Sequence, residues 1–90
     1  MANVNIAVLI PIEVYLKLAK REIRHSDLKQ ALKPVDSFDD AKPIKDRQGV
    51  YKTFYMPEDW ASWYRALERS DRLRFASIIQ DRLNQEVQHE

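Results

Sequence analysis

The hydrophobic and polar positions of this chain follow one pattern that occurs twice. An apolar run that alternates like a β-strand ends at a proline, a helical stretch follows, and a Ser-Asp pair opens a second helical stretch. The first copy spans residues 3–33 and the second spans residues 50–88. Because one such unit cannot bury a core alone, the repeat predicts an α+β fold in which two strand-helix-helix units share a two-stranded antiparallel ribbon.

Alternation places successive side chains on opposite faces of each predicted strand. The inward positions of the first strand are Val4, Ile6, Val8 and Ile10, and its outward positions are Asn3, Asn5, Ala7 and Leu9. In the second strand the inward residues are Phe54 and Met56, and the outward residues are Tyr51, Thr53 and Tyr55. We expect residues 5–9 to lie antiparallel to residues 51–55. Pairing within one chain would give a monomer, whereas pairing between chains would give an interlocked homodimer.

Helical periodicity predicts an amphipathic helix after each proline. The expected buried stripes are Ile12, Tyr15, Leu16, Ala19 and Ile23 in the first helix, Trp60, Trp63, Tyr64 and Leu67 in the third, and Phe75, Ile78, Ile79 and Leu83 in the last. Ser26 and Ser70 are expected to be N-caps of the second helix in each unit, because serine accepts hydrogen bonds from free helical N–H groups.

Residues 34–49 read as a linker, with two prolines and the only glycine of the chain. Phe38 is expected to attach this linker to the core. The acidic residues Asp36, Asp39 and Asp40 lack the spacing and the terminal glutamate of an EF-hand, so no metal site is expected there.

Length and composition indicate one globular domain over residues 1–90, with 44% hydrophobic and 32% charged residues. The apolar run at residues 6–12 is too short to cross a bilayer, and no basic leader precedes it, so a cytoplasmic protein without a membrane partner is expected. There is no cysteine. Disulfides and thiolate metal sites are therefore excluded.

Motifs for catalysis are missing from the sequence. It has no nucleophile elbow, no zinc-ligand spacing and, with a single glycine, no phosphate-binding glycine loop. His25 and His89 are expected to be surface residues. We therefore expect a protein that is not an enzyme and that has no cofactor.

Positive charge is grouped along the chain, although the net charge is only +1. One group has the spacing of a single helical stripe and consists of Lys17, Lys20, Arg21 and Arg24. A second group lies around the second Ser-Asp pair and consists of Arg65, Arg69, Arg72 and Arg74. Solvated helix faces are the simplest interpretation, but the free N–H groups at the two serine-capped helix starts are also suited to bind phosphate.

The second copy resembles the ribbon-helix-helix family of DNA-binding regulators. Its segments KTFYMPEDWASWYRAL and SDRLRFASIIQDRL are similar to the family's strand, proline-acidic helix start, amphipathic first helix, serine-capped turn and apolar second helix. The first copy, AVLIPIEVYLKLAKREIRHSDLKQAL, matches the family pattern more loosely, because its first helix is longer and its second helix is shorter. A chain that holds both units resembles the tandem conjugation accessory proteins of plasmids.

This resemblance implies a regulator or nucleoprotein accessory factor whose ribbon enters the major groove of double-stranded DNA. The positions that would read base edges are Asn3, Asn5, Ala7, Tyr51, Thr53 and Tyr55. The positions that would contact phosphates are Ser26 and Ser70, together with Lys20 and Arg24 from the basic stripe.

Two alternatives stay open. In the first, the same ribbon face binds a protein, as in a phage- or plasmid-borne inhibitor, an antitoxin or an adaptor. Ala7, Leu9, Tyr51 and Tyr55 suit that role, because aromatic residues are enriched and charges depleted in interface cores. In the second, the repeat is accidental and the strands belong to another small α+β fold.

Overall fold

A computed structural model describes residues 2–88, with side chains described as far as residue 85. Residues 1, 89 and 90 of the expected domain, His89 among them, lie outside the described residues. The elements follow in the order β1 (Asn3–Pro11), α1 (Ile12–Ala19), α2 (His25–Gln30), a 3₁₀ turn (Asp46–Gln48), β2 (Gly49–Pro57), α3 (Glu58–Arg65) and α4 (Arg69–Gln88). Each strand is thus followed by two helices, in an α+β arrangement.

The two strands pair antiparallel within the chain and form a two-stranded sheet. Asn5 lies opposite Tyr55 and Leu9 lies opposite Tyr51, which is the predicted pairing. Both strands end at a proline, and the helix begins at the next residue in each case. Proline suits this junction because its fixed φ favours entry into a helix and its missing N–H needs no partner there.

The inward face of this ribbon packs on the helices. Ile6, Val8 and Ile10 of β1 and Phe54 and Met56 of β2 are buried in one cluster with side chains from the helices. The inward residues were therefore correctly assigned from the alternation. Lys52 shares their parity and is half-buried, with its Nζ 5.9 Å from the centre of the Phe54 ring.

Aromatic side chains fill the centre of the core between α3 and α4. The rings of Trp60 and Tyr64 stack with their centres 5.1 Å apart, and the Phe75 ring meets Trp63 edge-on. The predicted faces of α3 and α4 are confirmed. Phe38 from the linker lies 6.2 Å from Trp63 and from Phe75, measured between ring centres, so it attaches the linker to the core as expected.

The C-terminal end of α2 is held by side chains from two other helices. Arg82 of α4 donates from one Nη to the backbone carbonyls of Ala31, at 2.9 Å, and Lys33. The indole Nε1 of Trp60 donates to the carbonyl of Leu32. Carbonyl groups at a helix C-terminus have no partner in the helix itself, so these bonds join α2 to α3 and α4.

The predicted buried stripe of α1 was wrong at Ile12, Tyr15, Leu16 and Ala19, which are all exposed, whereas Ile23, beyond the end of the helix, does pack against the core. Ile12, Tyr15 and Leu16 are 42%, 40% and 46% exposed, whereas Val14 is buried. Val14 and Leu18, four positions apart, form the inward side of the helix instead. The helix also ends earlier than the periodicity indicated, because Arg21 adopts a left-handed conformation with φ of 62°.

This termination also separates the predicted basic stripe. The N–H of Glu22 donates to the carbonyl of Lys17 at 2.8 Å, and the N–H of Arg21 donates to that of Leu18 at 3.1 Å. These two bonds form a Schellman motif, which closes the end of α1. Lys17 is therefore on α1, whereas Arg21 and Arg24 lie in the turn before α2, and the four cations do not share one helical face.

None of the helices within residues 2–88 combines the length and the apolar character needed to cross a membrane.

Candidate nucleic-acid interface

The outward face of the ribbon brings together all six residues that were assigned to base contacts. Three come from β1 and three from β2, and every one of them is exposed: Asn3, Asn5, Ala7, Tyr51, Thr53 and Tyr55. Ala7 and Thr53 lie directly opposite each other at the centre of this face, and Asn5 lies opposite Tyr55. The face is uncharged, with amide and hydroxyl groups around a small apolar centre.

Leu9 has the same parity but does not belong to this exposed face, because it is 1% exposed. A Cβ placed on Gly49 would lie 2.8 Å from Leu9 Cδ1 and 3.2 Å from Ile44 Cδ1, so the two side chains meet over the glycine. Ile44 is held in place by its backbone N–H, which donates to the carbonyl of Leu73 in α4. The linker thus covers this end of the ribbon, and the expectation that Leu9 is available to a partner was wrong.

Arg72 of α4 lies beside the Tyr51 end of the face. Its Nη1 is 3.5 Å from the hydroxyl of Tyr51, and its Cζ lies 4.9 Å from the centre of the buried Tyr64 ring. The other Nη donates to the carbonyl of Arg65 at 3.4 Å. A guanidinium packed on an aromatic ring keeps its charge while its apolar surface is covered, so the ribbon has a fixed cation at this end.

The turn between α3 and α4 adds further charge near Arg72. Arg65 and Arg69 are exposed there. Arg69 pairs with Asp46 of the linker at 3.2 Å, although both side chains are more than half exposed, so the pair contributes little to stability. Arg65 is the last residue of α3, and its side chain is exposed to solvent. Arg65, Arg69 and Arg72 therefore make the surface beside the Tyr51 end of the ribbon basic.

The start of α2 lies against β2. His25 begins α2 and its ring lies 5.5 Å from that of Phe54 in β2. The neighbouring residues Lys20 and Arg24 are exposed, and Arg24 is the N-cap of α2. The start of α2 therefore contacts β2 through the His25 ring, and α3 contacts β1 through the hydroxyl of Tyr64, which accepts a hydrogen bond from the Leu9 N–H.

Neither serine caps its helix. The N–H of Leu28 donates to the carbonyl of Arg24, and the N–H of Arg72 donates to that of Glu68, so each helix begins before the serine. Ser26 and Ser70 are the second residues of α2 and α4, and both are exposed. The predicted capping role was wrong, although both hydroxyls still lie in the first helical turn.

Sequence reasoning grouped Arg72 with its neighbours but did not single it out. The helical spacing from Phe75 and Ile79 placed Arg72 close to the buried face of α4, and that proximity to an apolar stripe was the available signal. In the part of the chain that the structure describes, no group of three or more acidic or histidine side chains is arranged to hold a metal ion.

Comparison of the chain with protein-family models, with curated proteins and with solved structures gives no match.

Proposed function

We propose that this protein binds double-stranded DNA through its two-stranded ribbon and acts as a regulator or nucleoprotein accessory factor. In this proposal the chain is a tandem of two ribbon-helix-helix-like units. The antiparallel ribbon has the size of element that the major groove admits. Its outward face is exposed along both strands, and the helices lie behind it.

The observation that carries the proposal is the symmetry of the ribbon. Ala7 lies four residues before Pro11, and Thr53 lies four residues before Pro57. Ala7 and Thr53 are direct partners in the register, so a two-fold axis relating the two proposed units would pass between them. That is the arrangement expected when two equivalent strand-helix-helix units pair about a two-fold axis, here within one chain.

The chemistry of the outward residues suits base readout. An asparagine side chain can donate to and accept from one adenine edge, and threonine or alanine methyl groups can contact the methyl group of thymine. Asn5 and Thr53 are the candidates for these contacts. Lys20 and Arg24 in the segment that joins α1 to α2, and Arg72 beside Tyr51 of β2, would supply phosphate contacts next to the ribbon.

A binding assay with duplex DNA of random sequence tests this proposal. We expect binding at low salt that weakens as salt rises, because phosphate contacts release counterions. Lys20→Ala and Arg24→Ala should each reduce the salt slope by about 1 if each contacts one phosphate. Lys42→Ala, which removes an exposed linker cation, is the matched control. No binding to duplex DNA at low salt would refute the proposal.

Exposed tyrosines favour a second candidate function, the binding of a protein by the same face. Tyr51 and Tyr55 are 42% and 56% exposed beside Ala7, and tyrosine is enriched in protein interfaces. Pull-down of a partner that depends on Tyr51 and Tyr55, with no retention on DNA, would favour this function. Substitution of both by serine should abolish that capture, whereas Tyr15→Ser, which removes an exposed tyrosine from α1, should not.

A further inference from the structure

The outer side of α1 carries an exposed apolar stripe formed by Ile12, Tyr15, Leu16 and Ala19. These positions repeat at intervals of three and four residues and therefore lie on one face of the helix. Three of them are large side chains that are 40–46% exposed. Next to Ile12 the stripe continues into a cleft of about 190 Å³, whose walls include Ile44, Glu13 and Gln80.

The equivalent helix of the same chain provides an internal comparison. Counted from the preceding proline, Ile12, Leu16 and Ala19 of α1 correspond to Glu58, Ser62 and Arg65 of α3. All three residues of α3 are exposed and polar, as expected for a helix face in solvent. The fourth residue, Tyr15, corresponds to Ala61, which is buried. The exposed apolar side chains of Ile12, Leu16 and Ala19 are therefore specific to α1 and are not required by the architecture.

Charged residues on one flank of the stripe restrict the orientation of a partner helix that packs on it. Glu13 lies near the start of α1, where its Oε2 accepts a hydrogen bond from Gln80 Nε2 at 2.9 Å and its second carboxylate oxygen stays available. Lys20 lies seven residues later, two helical turns along the same flank. The N–H of Lys20 still donates to the carbonyl of Leu16 at 2.9 Å, so Lys20 keeps its helical position. Lys17 lies further from the stripe. The flank is thus negative at one end and positive at the other.

We propose that this face pairs with the same face of a second copy of the chain, with the two α1 helices antiparallel. An antiparallel pairing places the same flank of the two helices side by side and brings Glu13 of each copy to Lys20 of the other. A parallel pairing would place these flanks on opposite sides of the pair, where the charges would not meet. The two stripes then cover each other, and the Lys20 end of one helix lies over the cleft beside Ile12 of the other. A self-complementary patch of this kind is what a two-fold dimer requires.

One short helix per copy gives an interface smaller than the standard protein–protein interface, so the dimer is expected to be weak and dependent on concentration. It does not involve the ribbon. Each dimer would therefore present two ribbon faces. Lys20 is shared with the proposed phosphate contacts, so association of the chain is measured without DNA.

Sedimentation velocity of the full chain without DNA, from about 10 µM to about 1 mM, tests the proposal. We expect the average mass to rise from that of one chain towards twice that value. Leu16→Glu should remain monomeric throughout, because it places a charge in the centre of the stripe. Ala66→Glu, which places the same charge at an exposed apolar residue just after α3, should associate like the wild type. Circular dichroism should show the same fold for all variants.

Exchanging the two charges distinguishes the antiparallel pairing from nonspecific hydrophobic association. Glu13→Lys and Lys20→Glu should each weaken association, and the double variant that carries both changes should recover it. A wild type that stays monomeric at every concentration would overturn the proposal. So would a Leu16→Glu variant that associates normally, or a double variant that associates no better than the single ones.

Discussion

The hydroxyl group of Tyr64 accepts a hydrogen bond from the backbone N–H of Leu9 at 2.9 Å, in a fully buried site. This bond joins α3 to the edge of β1 that is not paired with β2. Replacement by phenylalanine keeps the ring but leaves the Leu9 N–H buried without a partner. We therefore expect Tyr64→Phe to lower the free energy of unfolding by about 1–3 kcal/mol.

Urea denaturation followed by tryptophan fluorescence measures this loss. Tyr55→Phe removes the same hydroxyl from an exposed tyrosine and should leave the midpoint unchanged. Equal stability of the Tyr64→Phe variant and the wild type would mean that the bond contributes nothing.

Tyr64 should also make stability depend on pH in the alkaline range. Burial raises the pKa of Tyr64 from 10.0 to about 12, and the Leu9 N–H and Arg72 offset this only in part. The folded state thus holds the phenolic proton more tightly than the unfolded state does. The resulting stability is present below pH 10 and is lost as the pH rises towards 12. The wild type should lose stability more steeply than Tyr64→Phe in this window, and parallel curves would contradict the prediction.

Arg82 should stabilise the domain through α2. Its guanidinium donates to the carbonyls of Ala31 and Lys33, and burial lowers the pKa of this group. Arg82→Ala removes these bonds from a half-buried site, so we expect a loss of about 1–2 kcal/mol in thermal or urea unfolding. Arg47→Ala, at an exposed linker position, is the matched control. An equal effect of both substitutions would exclude a specific role for Arg82.

Arg21→Gly is expected to be stabilising. Arg21 has a φ of 62° at the end of α1, in the left-handed region where a Cβ costs about 1 kcal/mol and glycine is preferred. The gain should be up to about 1 kcal/mol in urea denaturation. Arg47→Gly, in the 3₁₀ turn, removes the same side chain from a residue without positive φ and should bring no gain. A lower stability of Arg21→Gly would argue against this backbone geometry.

Asn5→Ala should reduce sequence discrimination on DNA more than overall affinity. If Asn5 contacts one base edge, its loss removes about 1–3 kcal/mol of preference for that base pair. Selection from a random duplex library, performed with the wild type and the variant, measures this change. Asn84→Ala removes an exposed asparagine from α4 and should give the wild-type motif. If Asn5→Ala and the wild type select identical sequence motifs, Asn5 does not contact a base edge.

The fold was largely predictable where one physical constraint dominates. Strand alternation assigned the faces of the ribbon, and the dense aromatic spacing of Trp60, Trp63 and Tyr64 identified the inward side of α3. Leu9 was misjudged because its burial depends on Ile44, a linker residue far away in the sequence. Periodicity describes one element at a time and contains no information about what crosses over it.

The error on α1 has a different physical origin. Two apolar sets compete on this helix, since Val14 and Leu18 face the core while Ile12, Tyr15 and Leu16 face outward. A periodic pattern alone cannot decide between them, and the larger set suggested the wrong side. The N-cap prediction for Ser26 and Ser70 failed for a separate reason. A serine is acceptable at several positions in the first turn, so its identity does not fix where the helix begins.

Joining both strands in one polypeptide changes the folding reaction itself. Because β1 and β2 belong to the same chain, the ribbon forms in a unimolecular step, and its stability does not require a second molecule. The two halves are also free to diverge, since a change in one strand is not automatically repeated in the other. Asn5 corresponds to Tyr51 when counted from the two prolines, so a DNA site bound in the proposed way need not be a palindrome.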